Sequence, residues 1–241
     1  MSVSAPAPTA GPAAERRLIP RAWFRGVYLL GFLLIFLCSA YNPFPSGLWM
    51  ETGTYCLQTS HTIAIAMFQY ANDNDGNYPD GKSSTEVFQK LIDGGYVSDP
   101  AFFYIPLSGK TKPVALKLKP ENVSWDVTSG VDLSAPDGVP VIFMTGYKVN
   151  YVPGGSAVPI IKPYPQFGGE PRTLSQWWNN EQPLGRVQPG IAVTYKSNSS
   201  KFMKLDTATN PDGSVPNFIP PDFKPDGKTY RQLTPDGPLS P

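Results

Sequence analysis

Three carboxylates, Asp73, Asp75 and Asp80, crowd the stretch ANDNDGNYPDG, residues 71–81. Acidic side chains at alternate positions ahead of a glycine are what an EF-hand calcium loop uses, with further ligands at its first and twelfth positions. Placing Asp75 and Gly76 at the fifth and sixth positions puts Ala71 at the first and Lys82 at the twelfth. Both end ligands are missing, which excludes an EF-hand and leaves only an improvised Ca2+ site built from Asp73, Asp75 and Asp80. A carboxylate pair working as acid and base needs burial or a partner that separates the two pKa values. Asn and Asp at a helix exit, followed by Gly, are the ordinary chemistry of a chain reversal instead. The cluster therefore reads as a helix terminator, with no catalytic or metal-binding residue assigned and no cofactor expected.

Other catalytic equipment is scarce. His61 is the one histidine, and it falls inside a helical pattern where it reads as a polar face residue. The two cysteines, Cys38 and Cys56, cannot make a disulfide framework or a Cys/His zinc set. Neither a GxxxxGK[ST] loop nor a GxGxxG fingerprint is present. The chain is expected not to be an enzyme. Lys and Arg total 20 against 19 Asp and Glu, a net charge of +1, so there is no basic surplus to attract nucleic acid. With 28 prolines and 22 glycines in 241 residues, long Pro/Gly-rich loops are expected.

Positioning begins with an anchor. Residues 1–22 are small, Pro-rich and then basic, and are expected to form a disordered cytoplasmic tail. Residues 23–41 follow as a transmembrane helix, whose apolar run VYLLGFLLIFLCSAY includes Leu30, Leu34 and Phe36. Trp23 and Tyr28 on one side, and Tyr41 with Trp49 on the other, supply interfacial aromatics. Arg16, Arg17, Arg21 and Arg25 precede the span, and no Lys or Arg follows until Lys82. The positive-inside rule then puts the N-terminus in the cytoplasm and the rest across the membrane. The rival reading is a secretory signal cleaved after Ala40, since Cys38-Ser39-Ala40 ends in a small residue.

Beyond Pro43 and Pro45 a helical pattern runs from Met50 to Asn72, with Ile63, Met67 and Tyr70 on one stripe and Ala64, Phe68 and Ala71 on the next. Ser83 and Glu86 form an S-x-x-E capping box that opens a short helix from Ser84 to Asp93, stopped by Gly94-Gly95. Strands are expected at residues 113–118, 140–145, 147–152, 191–196 and 201–205. The second and third should form a hairpin through Gly146, and the last two through SNSS. Five Pro-Asp-Gly triplets, at Pro79, Pro136, Pro211, Pro225 and Pro235, suit type I turns with Pro second and Gly fourth. An insertion from Pro153 to Gly190 carries Trp177 and Trp178, which read equally as a cap on the core or, with Trp49, as the candidate partner contacts. Residues 206–241 read as a Pro-rich C-terminal tail that wraps a partner or the domain surface, or is disordered.

Two phrases carry a family resemblance. Tyr70, Ala71, Asp73, Gly76, Tyr78 and Pro79 form a Tyr-Ala-x-Asp-x-x-Gly-x-Tyr-Pro segment; Leu91, Gly95, Tyr96 and Val97 form a Leu-x-x-x-Gly-Tyr-Val phrase. Over residues 56–106 the chain resembles the type II secretion major pseudopilin and the type IV pilin-like family. The resemblance implies an α+β fold in which a long helix packs on an antiparallel sheet, here over residues 42–205. The span departs from that family. Arg25-Gly26 is followed by Val27, the fifth position after Gly26 is Gly31 rather than Glu, and Pro43 and Pro45 interrupt the helix. The expectation is a single-pass, non-enzymatic structural or accessory subunit in the bacterial cytoplasmic (inner) membrane. Its pilin-like periplasmic head would dock on a larger membrane complex, with membrane lipid and other complex subunits as partners. The alternatives are a pseudopilin subunit of a type II secretion-like filament, and a secreted ligand-binding module released by signal peptidase.

Overall fold

Helix α1 spans Thr52–Asp73 in a computed structural model that describes residues 52–107, 109–160, 190–206 and 208–239. Cys56, Ser60, Ile63, Met67 and Ala71 are all fully buried along one stripe of this helix, the 3.6-residue period of a helix with one face on a core. The helix ends where Asp75 and Gly76 turn to positive φ (53° and 81°) and the Gly76 amide donates to the Ala71 carbonyl at 2.8 Å. Asn74 Nδ2 donates to the Tyr70 carbonyl at 2.7 Å, satisfying one of the orphan carbonyls of the last turn. Phe68, which the helical pattern groups with the buried Ala64 and Ala71, is instead 45% exposed.

Helix α2, Ser84–Asp93, starts at the expected N-cap, Ser83, whose Oγ accepts from the Glu86 amide at 3.2 Å. The return bond of the expected box is displaced by one residue: Glu86 Oε2 accepts from the Lys82 amide at 3.0 Å, not from that of Ser83. Its buried face is Val87, Phe88 and Leu91. Phe88 stacks on Phe103, with ring centroids 4.4 Å apart.

The strands are β1 (Trp125–Ser129), β2 (Pro140–Met144), β3 (Tyr147–Val149), β4 (Ala157–Pro159), β5 (Gly190–Tyr195), β6 (Ser200–Lys204), β7 (Arg231–Thr234) and β8 (Gly237–Pro238). Six of them form an antiparallel sheet in the order β6-β5-β2-β1-β7-β8, with Val127 opposite both Ile142 and Leu233 in the register. β3 and β4 form a separate antiparallel pair. α1 lies over β2, β5 and β6, and α2 over β1 and β7. On the opposite face, Phe143 meets the edge of Phe218, Tyr195 Oη donates to the Phe218 carbonyl at 2.6 Å, and the β3–β4 pair bonds to Gln232. The sheet is thus covered on both sides, which is why every residue of β1, β2 and β5 is buried. The chain is an α+β protein in which helices pack on an antiparallel sheet.

Several expectations from the sequence are corrected. Residues 113–118 are not a strand: they form an irregular loop in which Val114 to Lys117 are exposed, with no neighbouring chain pairing to them. β2 and β3 do not form a hairpin, because Gly146 (φ 99°) turns the chain out of the main sheet and into the covering layer, where β3 pairs with β4. The Pro153–Gly190 insertion opens with β4, and residues 161–189 lie outside the described part. The segment expected as a tail from Asp206 is built into the fold. Val215, Phe218, Ile219 and Phe223 are buried, and β7 sits inside the sheet between β1 and β8. Of the Pro-Asp-Gly triplets, those at Pro211 and Pro235 adopt the expected register, closing Asn210–Gly213 and Thr234–Gly237. At Pro136 the turn starts one residue later than that register, with the Val139 amide donating to the Pro136 carbonyl.

No helix among the described residues is long and apolar enough to cross a membrane. The expected span 23–41, with Trp23, Tyr28, Leu30, Leu34, Phe36 and Tyr41, lies outside the described residues.

Candidate functional sites

The acidic cluster sends its carboxylates to separate tasks. Asp73 Oδ2 accepts from Tyr96 Oη at 3.0 Å, while Asp80 accepts from Ser129 Oγ at 2.9 Å and from the Gly81 amide at 2.7 Å. Asp75 occupies the left-handed position of the helix exit. Among the described residues no group of three His, Cys, Asp or Glu side chains comes together as a metal site. The candidate contacts Trp49, Trp177 and Trp178 lie outside the described residues.

His61 projects from α1 toward the β5–β6 hairpin. Its Nδ1 lies 3.4 Å from Ser200 Oγ, the outer limit of a hydrogen bond. Ser200 Oγ sits closer, 2.7 Å, to Thr194 Oγ1, which in turn donates to Ser60 Oγ at 2.9 Å. These hydroxyls tie the buried stripe of α1 to the sheet. A Ser–His nucleophile needs a third group to orient the base, and no carboxylate pairs with His61 among the described residues.

Sequence reasoning missed a buried carboxylate at the centre of the main sheet. Asp126, in the WDVTS strand, is fully buried. Gln232 of β7 holds it: Gln232 Nε2 donates to Asp126 Oδ2 at 2.6 Å and to the Tyr147 carbonyl at 2.5 Å, and Gln232 Oε1 accepts from the Val149 amide at 3.0 Å. One glutamine thereby joins β1 and β7 to β3 in the covering layer. Asp126 Oδ1 has no hydrogen-bond partner among the described residues. Burial pushes the Asp126 carboxyl up to about 7, against the lowering pull of Thr145, Gln232 and Lys110. The signal in the sequence is an acidic residue between Trp125 and Val127, where a strand buried on both faces has no polar side.

Tyr195 separates two shallow cavities. One, about 380 Å³, lies beside α1 at Ile65 and Phe68; the other, about 310 Å³, is lined by Gly138, Pro220 and Phe223. Asp137, ion-paired to Lys196 at 3.0 Å, lines both. Burial raises the Tyr195 hydroxyl pKa, and its hydrogen bond to Phe218 commits it structurally. The cavities offer apolar contact without a nucleophile–base pair.

Tyr70 and Tyr96 join the two motif phrases across space. Their rings are 5.5 Å apart, and the Tyr96 hydroxyl is the one bound by Asp73. No family model, curated protein or solved structure matches this chain.

Proposed function

We propose that the chain is a non-enzymatic, single-pass subunit of the bacterial cytoplasmic membrane. Its pilin-like head stands outside that membrane and docks on a larger membrane complex. The observation that carries this reading is the meeting of Tyr70 and Asp73, from the first phrase, with Tyr96, from the second. In that arrangement the exit of a long helix is clamped to the end of the short capped helix that follows. The two phrases then specify one helix–turn–helix corner against a sheet, the part of the fold that the pilin resemblance concerns. The four arginines before the apolar run, and their absence after it until Lys82, support the orientation. The missing Glu after Gly26 supports an accessory role over filament assembly.

Intact mass of the protein isolated from membranes tests the anchor. Retention of the residues before Val27 is expected. A mature chain beginning at Val27 would favour the filament subunit, and one beginning at Tyr41 would overturn the reading in favour of a secreted module.

A further inference from the structure

The loop that the sequence disguises as a strand presents an apolar tip on basic shoulders. Val114 is fully exposed and Leu116 is 61% exposed. Between Gly109 and Glu121 stand Lys110, Lys112, Lys117 and Lys119 against a single carboxylate, Glu121. The Lys119–Glu121 contact is long, 3.8 Å, and exposed on both sides, so it holds Lys119 only weakly; Lys110 is committed instead to the Pro120 carbonyl at 3.0 Å.

The tip is held out by a fastened neck. The Thr111 amide donates to the Glu121 carbonyl at 2.8 Å, and Asn122 Nδ2 donates to the Thr111 carbonyl at 3.0 Å. Asn122 Oδ1 accepts from the Lys119 amide at 3.1 Å, and Gln89 Oε1 of α2 accepts from the Leu118 amide at 2.8 Å. Pro113 and Leu118 are buried on either side of the exposed run. The loop lies beside α2, where Gln89 Nε2 also reaches the Leu116 carbonyl at 3.4 Å.

We propose that this loop is a second membrane contact, inserting Val114 and Leu116 at the surface of an anionic bilayer while Lys112, Lys117 and Lys119 engage the lipid phosphates. A protein partner fits less well. Stable protein interfaces use about 800 Å² per side, more than a four-residue tip supplies, and they favour Trp, Tyr and Arg while depleting Lys. A bilayer asks for the opposite: small apolar area at the tip and lysines beside it, each worth roughly fivefold in partitioning to an anionic surface. The proposal rests on the anchored reading above for the source of the bilayer.

The test uses the full chain with Val114→Cys and Cys38→Ser, labelled at the new thiol with an environment-sensitive fluorophore. Cys56 is buried, with its thiol pushed up to about 12, and does not compete for the label. The labelled chain is reconstituted into phosphatidylcholine vesicles with or without phosphatidylglycerol, then floated. The expected result is flotation with both vesicle types, and a severalfold emission rise with a blue shift only where phosphatidylglycerol is present. Lys112→Glu/Lys117→Glu/Lys119→Glu should abolish the rise. Flotation with an unchanged, water-like emission overturns the loop contact and leaves the anchor standing. Flotation and emission rise confined to phosphatidylglycerol vesicles keep the loop contact and overturn the anchor. Equal emission in both vesicle types overturns the anionic-lipid assignment, and failure to float with either overturns loop and anchor together.

Discussion

Asp126 is the residue at which electrostatics and packing pull hardest against each other. An unfolded chain holds this carboxyl near 3.8, whereas burial in the fold raises it to about 7. Below about pH 4 both states carry the proton, and the contribution to stability is fully present. Between there and about pH 7 only the folded chain keeps the proton, so stability falls as pH rises; above that it levels off. The full swing is on the order of 4 kcal/mol, because each tenfold gain in proton affinity on folding is worth about 1.4 kcal/mol. Urea unfolding of the detergent-solubilised chain at pH 5 and pH 8 is expected to give a lower midpoint at pH 8. Asp126→Asn should flatten that difference, because an amide keeps an acceptor for Gln232 without an ionisable proton; parallel curves for both proteins would contradict it. The residue was hard to see beforehand because an acidic side chain in WDVTS argues against a core strand. Gln232, which holds it, lies more than a hundred residues away in sequence.

At the scale of elements, local signals were readable and long-range pairing was not. The Ser83 N-cap specifies the start of α2 because its hydroxyl and the Glu86 amide lie within one turn. The stripe through Ile63 and Met67 specifies α1 for the same reason, since period alone defines a face. The PVALKL run has strand-like residues, yet no chain comes alongside, so the backbone bonds to Gln89 and the tip stays in solvent. β7 hid in a Pro-rich stretch because RQLT owes its place to its neighbours in the sheet. Gly146 looked like a hairpin turn and proved to be a change of layer. That second layer makes its own demand at Gly155, where a Cβ would overlap the Asn150 carbonyl oxygen and crowd that of Val152. The Ile219 amide donates to the Gly155 carbonyl at 3.0 Å, so the backbone cannot easily retreat. Gly155→Ala is expected to cost about 1–3 kcal/mol, the usual range for overpacking, seen as a lower thermal midpoint. An unchanged midpoint would show that the β3–β4 turn yields.

At the scale of the molecule, the described residues form a sheet closed on both faces, with its polar groups spent on holding layers together. Ser60 and Thr194 fasten α1 to β5, Ser84 Oγ fastens α2 to the Trp125 carbonyl, and Gln232 fastens the covering layer. The outer strand β6 carries exposed Lys201 and Lys204, and the other edge, β8, is two residues long and contains Pro238. Lysines, short strands and proline are the usual defences against edge-to-edge pairing. The role proposed for this domain depends on what it is attached to. Gentle detergent extraction of the native membrane followed by a native gel tests that most directly. The account predicts that the full-length chain migrates in a band well above its own 26.3 kDa, together with other subunits. Migration as a lone monomer under conditions that keep known membrane complexes intact would contradict it.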